Sequence, residues 1–215
     1  MTLKNSSSAK TLNGSLVKPT GPSVRGTVLI MPPQIVVRFL LIAESVWSFG
    51  AGLFFPIFAI FSEQVGGDIL DAGIAAAIFI LVTALLEYPI GRLIDRYNEK
   101  WFIVADYLLE AAVFVGYVFV GNIYHLFALQ VVLGIANAIG DPAWESLYDR
   151  HTPNKGSGSA WARMHLFTGI FNAFGILIGA FIVSKYGFDS VFMLGAAFSL
   201  SAAIIAARFL KSTRK

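Results

Sequence analysis

Several ionisable and polar side chains lie inside long apolar stretches of this sequence, and Glu44 is the first of them. It lies about nine residues into an apolar segment that begins near Gln34, which is roughly 14 Å along a helix at 1.5 Å per residue. A carboxylate near the middle of a bilayer is costly unless it faces water, has a partner or stays protonated. Ser48 follows one turn later on the same helical face. The pair therefore indicates either a hydrated site or a hydrogen-bonded packing contact.

A second polar stripe is predicted on the fourth apolar segment. Gln130, Gly134, Asn137 and Asp141 are separated by offsets of four, three and four residues, which place them on one face of a helix. Such a face suits a water-filled cavity. The alternative is helix packing through small residues and amide hydrogen bonds.

Three further acids lie in the second and third segments. Asp106 and Glu110 are four residues apart and hence neighbours on one helical face, and Glu87 lies toward the end of the second segment. Arg92 and Arg96 are close in sequence. We interpret the three acids as structural partners of the basic loop that holds these arginines.

Signals for enzymatic chemistry are weak. The chain has no cysteine, and His125, His151 and His165 do not show the spacing of metal ligands. No glycine-rich phosphate loop is present in the sequence. We therefore expect neither an enzyme nor a protein with a metal or cofactor.

The composition identifies the elements that must position these residues. Of 215 residues, 56% are hydrophobic and only 13% are charged, whereas soluble domains carry about 25% charge. The apolar residues form blocks of about 20, the length that spans a bilayer as a helix. This predicts an all-α integral membrane protein with six transmembrane helices, at about 34–61, 69–93, 101–120, 123–143, 160–183 and 191–209.

The same pattern divides the chain into three parts. Residues 1–33 are polar and predict a disordered cytoplasmic tail, 34–209 form the six-helix transmembrane domain, and 210–215 form a basic cytoplasmic tail. Of the 16 Lys and Arg residues, only Lys185 falls on the side of the membrane opposite the termini. The positive-inside rule then predicts a multi-pass protein of the cell membrane with both termini in the cytoplasm. Since the basic residues follow this topology, we expect the lipid bilayer as a partner and no nucleic acid.

A sequence motif follows the second apolar segment. The chain reads Gly91-Arg92-Leu93-Ile94-Asp95-Arg96-Tyr97-Asn98-Glu99-Lys100. It resembles the G-x-x-x-D-[RK]-x-[GN]-x-[RK] signature of the major facilitator superfamily at five positions: Gly91, Asp95, Arg96, Asn98 and Lys100. In that family the signature lies in the cytoplasmic loop between the second and third helices, where this chain also places it. A glycine permits close approach of another helix, and the basic residues suit an anionic leaflet.

The resemblance implies an architecture and a set of site residues. The family has twelve helices in two six-helix halves, and this chain resembles the N-terminal half, built from two three-helix repeats. The resemblance implies that the signature loop is a conformational loop, which takes part in conformational change of the transporter. The first and fourth helices line the central cavity, so the implied substrate or proton site consists of Glu44, Ser48, Gln130, Asn137 and Asp141.

The function implied by the resemblance is secondary active transport of a small molecule or ion by a half-size transporter, working as a homodimer or with a second six-helix half. The alternative is a non-transporting six-helix interaction module or a truncated transporter fragment. Two departures from the family qualify the mechanism. Gln130 replaces an arginine often found in the fourth helix, and Ile176 follows Gly175 where drug antiporters carry proline. Proton coupling at position 130 and drug antiport are therefore not supported by these motifs.

Overall fold

The computed structural model describes residues 33–152 and 157–209. Helix α1 spans Pro33–Phe54 and is followed by a 3-10 turn, Phe55–Ile57. The remaining helices are α2 (Phe58–Gln64), α3 (Ile69–Ile94), α4 (Glu99–Tyr117), α5 (Ile123–His151), α6 (Ser157–Tyr186) and α7 (Phe188–Phe209). The tails predicted for 1–33 and 210–215 lie outside the described residues, except for Pro33 at the start of α1.

Short polar residues and glycines set the helix ends. Asp68 and Asp71 form a capping box at the start of α3, with side-chain to backbone distances of 2.9 and 3.1 Å. The side chain of Asn122 caps α5 by accepting a backbone N–H at 3.1 Å. Gly66 and Gly187 have φ of 92° and 80°, a conformation that glycine adopts without strain. These turns reverse the chain between long helices.

The regular secondary structure of the described residues is all helical, and most of these helices could span a membrane. Five helical paths are long and apolar enough to cross one: Pro33–Gln64, Ile69–Ile94, Ile123–His151, Gly158–Tyr186 and Phe188–Arg208. The first path includes the 3-10 turn at Pro56, whose missing N–H interrupts the helical ladder. Helix α4 has 19 residues and holds Glu99, Lys100, Asp106 and Glu110, which explains why it is not among the five. The sixth span stays a prediction.

The fourth apolar segment is longer than the sequence predicted. Helix α5 continues to His151, whereas its predicted end was at Ala143. The extra two turns are held by Trp144, Leu147 and Tyr148, whose side chains are buried in the core. Burial of this amphipathic end stabilises the helix beyond its continuous apolar run.

The helices pack in a pattern that is consistent with two repeats. Helix α1 packs against α6 and α7, helix α5 packs against α3 and α4, and α4 packs against α7. If α1, α3 and α4 are exchanged for α5, α6 and α7 in that order, the α1–α6 contact becomes α5–α3 and the α1–α7 contact becomes α5–α4. The α4–α7 contact is unchanged. The same two triplets follow one another in sequence.

Glycines allow the α1–α6 contact to be close. A Cβ atom added at Gly175 or Gly179 would overlap the carbonyl oxygen of Phe49 or Leu53, respectively. The four-residue spacing of Gly175 and Gly179 therefore serves close helix packing. Moving from Gly175 to Gly179 on α6 moves the contact from Phe49 to Leu53 on α1. The two helices therefore run parallel, with Gly175 at the level of Phe49.

Two apolar clusters form the core. One includes Leu40 and Ile103 in the first halves of α1 and α4 and Tyr148 near the end of α5. The other is dominated by stacked and edge-on aromatic rings, Phe54, Phe61, Tyr117 and Phe192, at the opposite ends of these helices. The polar side chains described next lie on segments that link the two clusters.

Candidate functional site

A cavity of about 180 Å³ lies where α1, α4, α5 and α6 converge. Four carboxyl groups line it, and they come from three helices: Glu44, Asp106, Asp141 and Glu145. Among the described residues that line it, none is a lysine or an arginine. We refer to it as the acidic cavity.

Glu44 occupies the α1 side of the acidic cavity. Its side chain is half-buried and accepts a hydrogen bond of 3.0 Å from the hydroxyl of Tyr107 on α4. The hydroxyl fixes one carboxyl oxygen while the group remains at the cavity wall. The geometry therefore suits a carboxyl group that can bind a proton or a cation without losing its position.

Asp106 enters the acidic cavity from α4. It is only 7% exposed, and its Oδ1 atom has no hydrogen-bond partner among the residues that the structure describes. Gly140 on α5 makes room for it, because a Cβ at that position would overlap the Asp106 carboxylate. A buried carboxyl oxygen without a partner is costly and points to a ligand or a proton at this position.

The predicted pairing of Asp106 and Glu110 with the basic loop is wrong. Asp106 faces Gly140, and Glu110 is buried and accepts a hydrogen bond from the indole N–H of Trp47 on α1. Both acids therefore face the interior of the helical bundle, because the side of α4 that carries them is turned toward α1 and α5. Glu87 does share a surface pocket with Arg92, as its position in sequence indicated.

The α5 side of the cavity carries two acids one turn apart. Asn137 donates a hydrogen bond to Asp141, and Glu145 follows at the four-residue spacing that places it on the same face. Asp141 and Glu145 are exposed in this chain. They therefore form the open rim of the acidic cavity.

Aromatic rings form the remaining wall. Trp144 stacks on Tyr148 with ring centroids 5.0 Å apart, and Trp161 contacts Tyr148 edge-on at 5.1 Å. The indole N–H of Trp144 has no partner among the described residues. His165 lies 6.0 Å from the Trp161 ring and also lines the cavity. Aromatic faces next to carboxylates provide a favourable environment for an organic cation.

The structure does not bring Ser48 or Gln130 to the acidic cavity. Ser48 is buried and donates a 3.1 Å hydrogen bond to the Thr168 carbonyl, which ties α1 to α6. Gln130 is 4% exposed and donates a 2.8 Å hydrogen bond to the hydroxyl of Tyr117. Both contacts match the packing alternative. Glu44 and Asp141 line the acidic cavity, and Asn137 reaches it only through its hydrogen bond to Asp141.

The sequence interpretation missed the aromatic wall and Glu145. The sequence predicts that the fourth helix ends at Ala143, which places Trp144 and Glu145 in a loop. The four-residue spacing from Asp141 to Glu145 was the available signal. Within the described ranges, no group of three or more His, Asp or Glu side chains has the arrangement of a metal site.

The signature loop has a simple local construction. Asp95 is the C-cap residue of α3, and the side chain of Asn98 caps α4 by accepting the Lys100 N–H at 3.1 Å. The Lys100 ammonium lies 5.0 Å from the Trp101 ring centroid. Arg96 is exposed. The loop is therefore short and held at both ends by helix caps.

Gly91 does not show the close helix contact that its type suggested. A Cβ atom at Gly91 would meet nothing within 4 Å among the described atoms, because this face of α3 points away from the other helices. The tertiary contact in this region comes instead from Glu99, the first residue of α4. Its fully buried carboxylate lies 2.5 Å from the Arg150 guanidinium at the end of α5.

Comparison with known proteins agrees with this architecture. A sequence model of the Major Facilitator Superfamily matches residues 40–215. The MFS-type transporter YitZ of Bacillus subtilis is 24% identical over 67% of this chain and 88% of its own length. The MFS-type transporter MJ1560 of Methanocaldococcus jannaschii is 28% identical over 73% of this chain and 40% of its length. The multidrug resistance protein MdtG of Salmonella dublin is 26% identical over 89% of this chain and 48% of its length.

The chain thus spans most of YitZ but less than half of MJ1560 and of MdtG. The family match covers the helices that build the acidic cavity and the signature loop. The chain belongs to the Major Facilitator Superfamily, a family of membrane transporters and not of enzymes.

Proposed function

We propose that this chain takes part in secondary active transport of a small positively charged solute, with the acidic cavity as the substrate or proton site. One observation carries the proposal: four carboxyl groups line the cavity, and no lysine or arginine does so among the described residues. Carboxyl groups within a membrane are costly and are kept where they bind ions, protons or charged substrates.

The size of the cavity limits which solutes can bind in it. Drug-sized ligands occupy pockets of about 300–1,000 Å³, whereas this cavity measures about 180 Å³. It therefore suits a proton or the charged head of an organic cation, with the rest of the molecule outside it. Trp144 and Trp161 would contact an ammonium or ring edge while Glu44, Asp106 or Asp141 balances its charge.

Glu44 is the residue we assign to coupling. It is the only α1 carboxyl group at the acidic cavity among the described residues, and the Tyr107 hydroxyl holds it in place. Binding of a cation there would favour the ionised carboxylate, and departure of the cation would favour proton uptake. That alternation is the minimum needed for exchange of a cation for a proton.

The membrane topology completes the proposal. We propose six spans, with α4 as the third, in a multi-pass protein of the cell membrane that has cytoplasmic termini. The exchange of contacts between α1, α3, α4 and α5, α6, α7 supports two three-helix repeats. The distribution of Lys and Arg supports the orientation.

Six helices leave one side of the acidic cavity open, so we propose that a second six-helix unit covers it. That unit is a second copy of this chain or a separate half. The exposed apolar side chains of α3 support this, since Leu81 and Leu85 point outward. The alternative is a six-helix interaction module or transporter fragment that moves no solute.

Proteoliposomes test the function. We expect addition of ethidium, an aromatic cation, to drive proton movement in the wild-type protein and not in Glu44→Gln, which keeps the side-chain shape. Glu63→Gln is the matched control, because Glu63 is an exposed acid on α2 and lies outside the cavity. Equal activity in Glu44→Gln and wild type would refute the assignment.

The same assay shows whether transport requires a partner. Activity that appears only after a second six-helix chain is added would support the two-unit proposal. Inactivity under all these conditions, with intact folding, would favour the interaction module.

A further inference from the structure

A second and larger cavity of about 840 Å³ lies along the first half of α1 and the first half of α6. The acidic cavity and this cavity have no lining residue in common. Two arginines, Arg38 and Arg163, line it together with apolar side chains, His151 and a few uncharged polar groups. Its charge is therefore opposite to that of the acidic cavity.

The helix register gives this cavity a polar end and an apolar end. Helices α1 and α6 run parallel, with Gly175 against Phe49 and Gly179 against Leu53, an offset of 126 residues. Arg38 and Arg163 are 125 residues apart, so they lie within one residue of the same level.

One turn further along, Ile42 lies level with Phe167, and one turn beyond that Val46 lies level with Phe171. We call these six residues, Arg38, Ile42, Val46, Arg163, Phe167 and Phe171, the α1–α6 groove. It is basic at the helix starts and apolar for two turns toward their middle.

The charge of the groove is not balanced by the side chains around it. Among the described residues that line the cavity there is no Asp or Glu, and neither arginine forms a salt bridge with another described residue. Arg38 and Arg163 are exposed. Arg163 also donates a hydrogen bond to the Tyr148 hydroxyl, and both guanidinium groups keep solvent-exposed donors for an anion.

The apolar part of the groove is also open. Ile42, Phe167 and Phe171 are 49%, 44% and 42% exposed. An occupant that satisfies both ends must carry an anionic head and a hydrocarbon tail. A free phosphate ion would leave the apolar walls uncovered.

We propose that the α1–α6 groove binds an anionic phospholipid, with its phosphate between Arg38 and Arg163 and one acyl chain along Ile42, Val46, Phe167 and Phe171. Arginine suits phosphate through its planar set of donors. Both arginines lie in the second turn of helices that start on the side assigned to the cytoplasm, the anionic side of a membrane. The proposal is independent of transport, because none of its residues belongs to the acidic cavity.

Native mass spectrometry of the delipidated full chain tests this. Phosphatidylglycerol and phosphatidylcholine with identical acyl chains are titrated against wild type and against the double variant Arg38→Gln/Arg163→Gln. We expect wild type to prefer phosphatidylglycerol and the double variant to bind it about thirtyfold more weakly, since each arginine near the surface contributes about fivefold.

The matched control is Arg92→Gln/Arg208→Gln, which removes two exposed arginines outside the groove and is expected to bind as wild type does. The conservative double variant Arg38→Lys/Arg163→Lys keeps both charges and is expected to retain the preference. It also keeps the test informative if the glutamine variant fails to fold.

Further variants separate the head-group and acyl-chain contacts. Phe167→Ala/Phe171→Ala is expected to weaken both lipids and to leave their ratio unchanged. Inorganic phosphate is expected not to displace the lipid at equal concentration. Equal binding of the two lipids by wild type, equal loss in the control variant, or displacement by inorganic phosphate would overturn the proposal.

Discussion

The ion pair between Glu99 and Arg150 gives the sharpest stability prediction. Glu99 is the first residue of α4, its side chain is 1% exposed, and its carboxylate lies 2.5 Å from the guanidinium of Arg150. Substituting Arg150→Ala removes the cation and leaves a buried carboxylate without its partner. We expect this variant to be clearly destabilised while the helices still form.

The magnitude follows from burial on the two sides of the pair. Breaking a fully buried ion pair by removing one partner costs about 3–5 kcal/mol. Arg150 is 47% exposed, so solvent already screens its half of the pair and the cost falls somewhat below that range. We therefore expect Arg150→Ala to lower the free energy of unfolding by about 2–3 kcal/mol.

A double-mutant cycle provides the assay. The free energy of unfolding is measured in mixed micelles for wild type, Arg150→Ala, Glu99→Gln and the double variant. Glu99→Gln removes the buried charge, so the double variant is expected to recover much of the loss. A stable Arg150→Ala variant, or a double variant less stable than Arg150→Ala, would refute the reasoning.

Two further predictions concern topology and packing. Because the chain has no native cysteine, single cysteines at Asp68 and Asn98 can be labelled selectively, and we expect Asn98 to react only from the cytoplasmic side and Asp68 only from the other side; the reverse pattern would contradict the assigned orientation. Gly179→Ala is expected to destabilise the chain by about 1–3 kcal/mol through overpacking against Leu53, whereas Gly169→Ala on the same helix, where a Cβ meets nothing within 4 Å, is expected to be neutral or stabilising. Equal thermal stability of the two alanine variants would contradict the close α1–α6 contact.

The helices were predictable because their signal is local. Long apolar runs and capping residues such as Asp68 and Asn122 define their ends, and most boundaries agree within about three residues. The end of α5 was missed because Trp144 and Tyr148 are held by tertiary packing and not by a continuous apolar run.

The candidate site was predictable only in part. Depth in an apolar segment and helical spacing selected Glu44 and Asp141, but they do not specify which neighbour a helix face meets. Ser48 lies one turn from Glu44 and yet bonds to α6, because four residues rotate the face by about 40°. Asp106 was assigned to the loop by proximity in sequence, whereas the absence of a side chain at Gly140 opens its place in the interior.

The acidic character of α4 also has a consequence for how the protein enters a membrane. In a six-span topology this helix must partition into lipid with Asp106 and Glu110 near its middle, and one aspartate at that depth costs about 2.5–3.5 kcal/mol on insertion scales. Helix α5 follows after a short connection and supplies both the space at Gly140 and the hydrogen bond from Gln130 to Tyr117. We infer that α4 leaves the insertion machinery together with α5 as a helical hairpin, so that the order of biosynthesis and the lining of the acidic cavity both depend on Asp106.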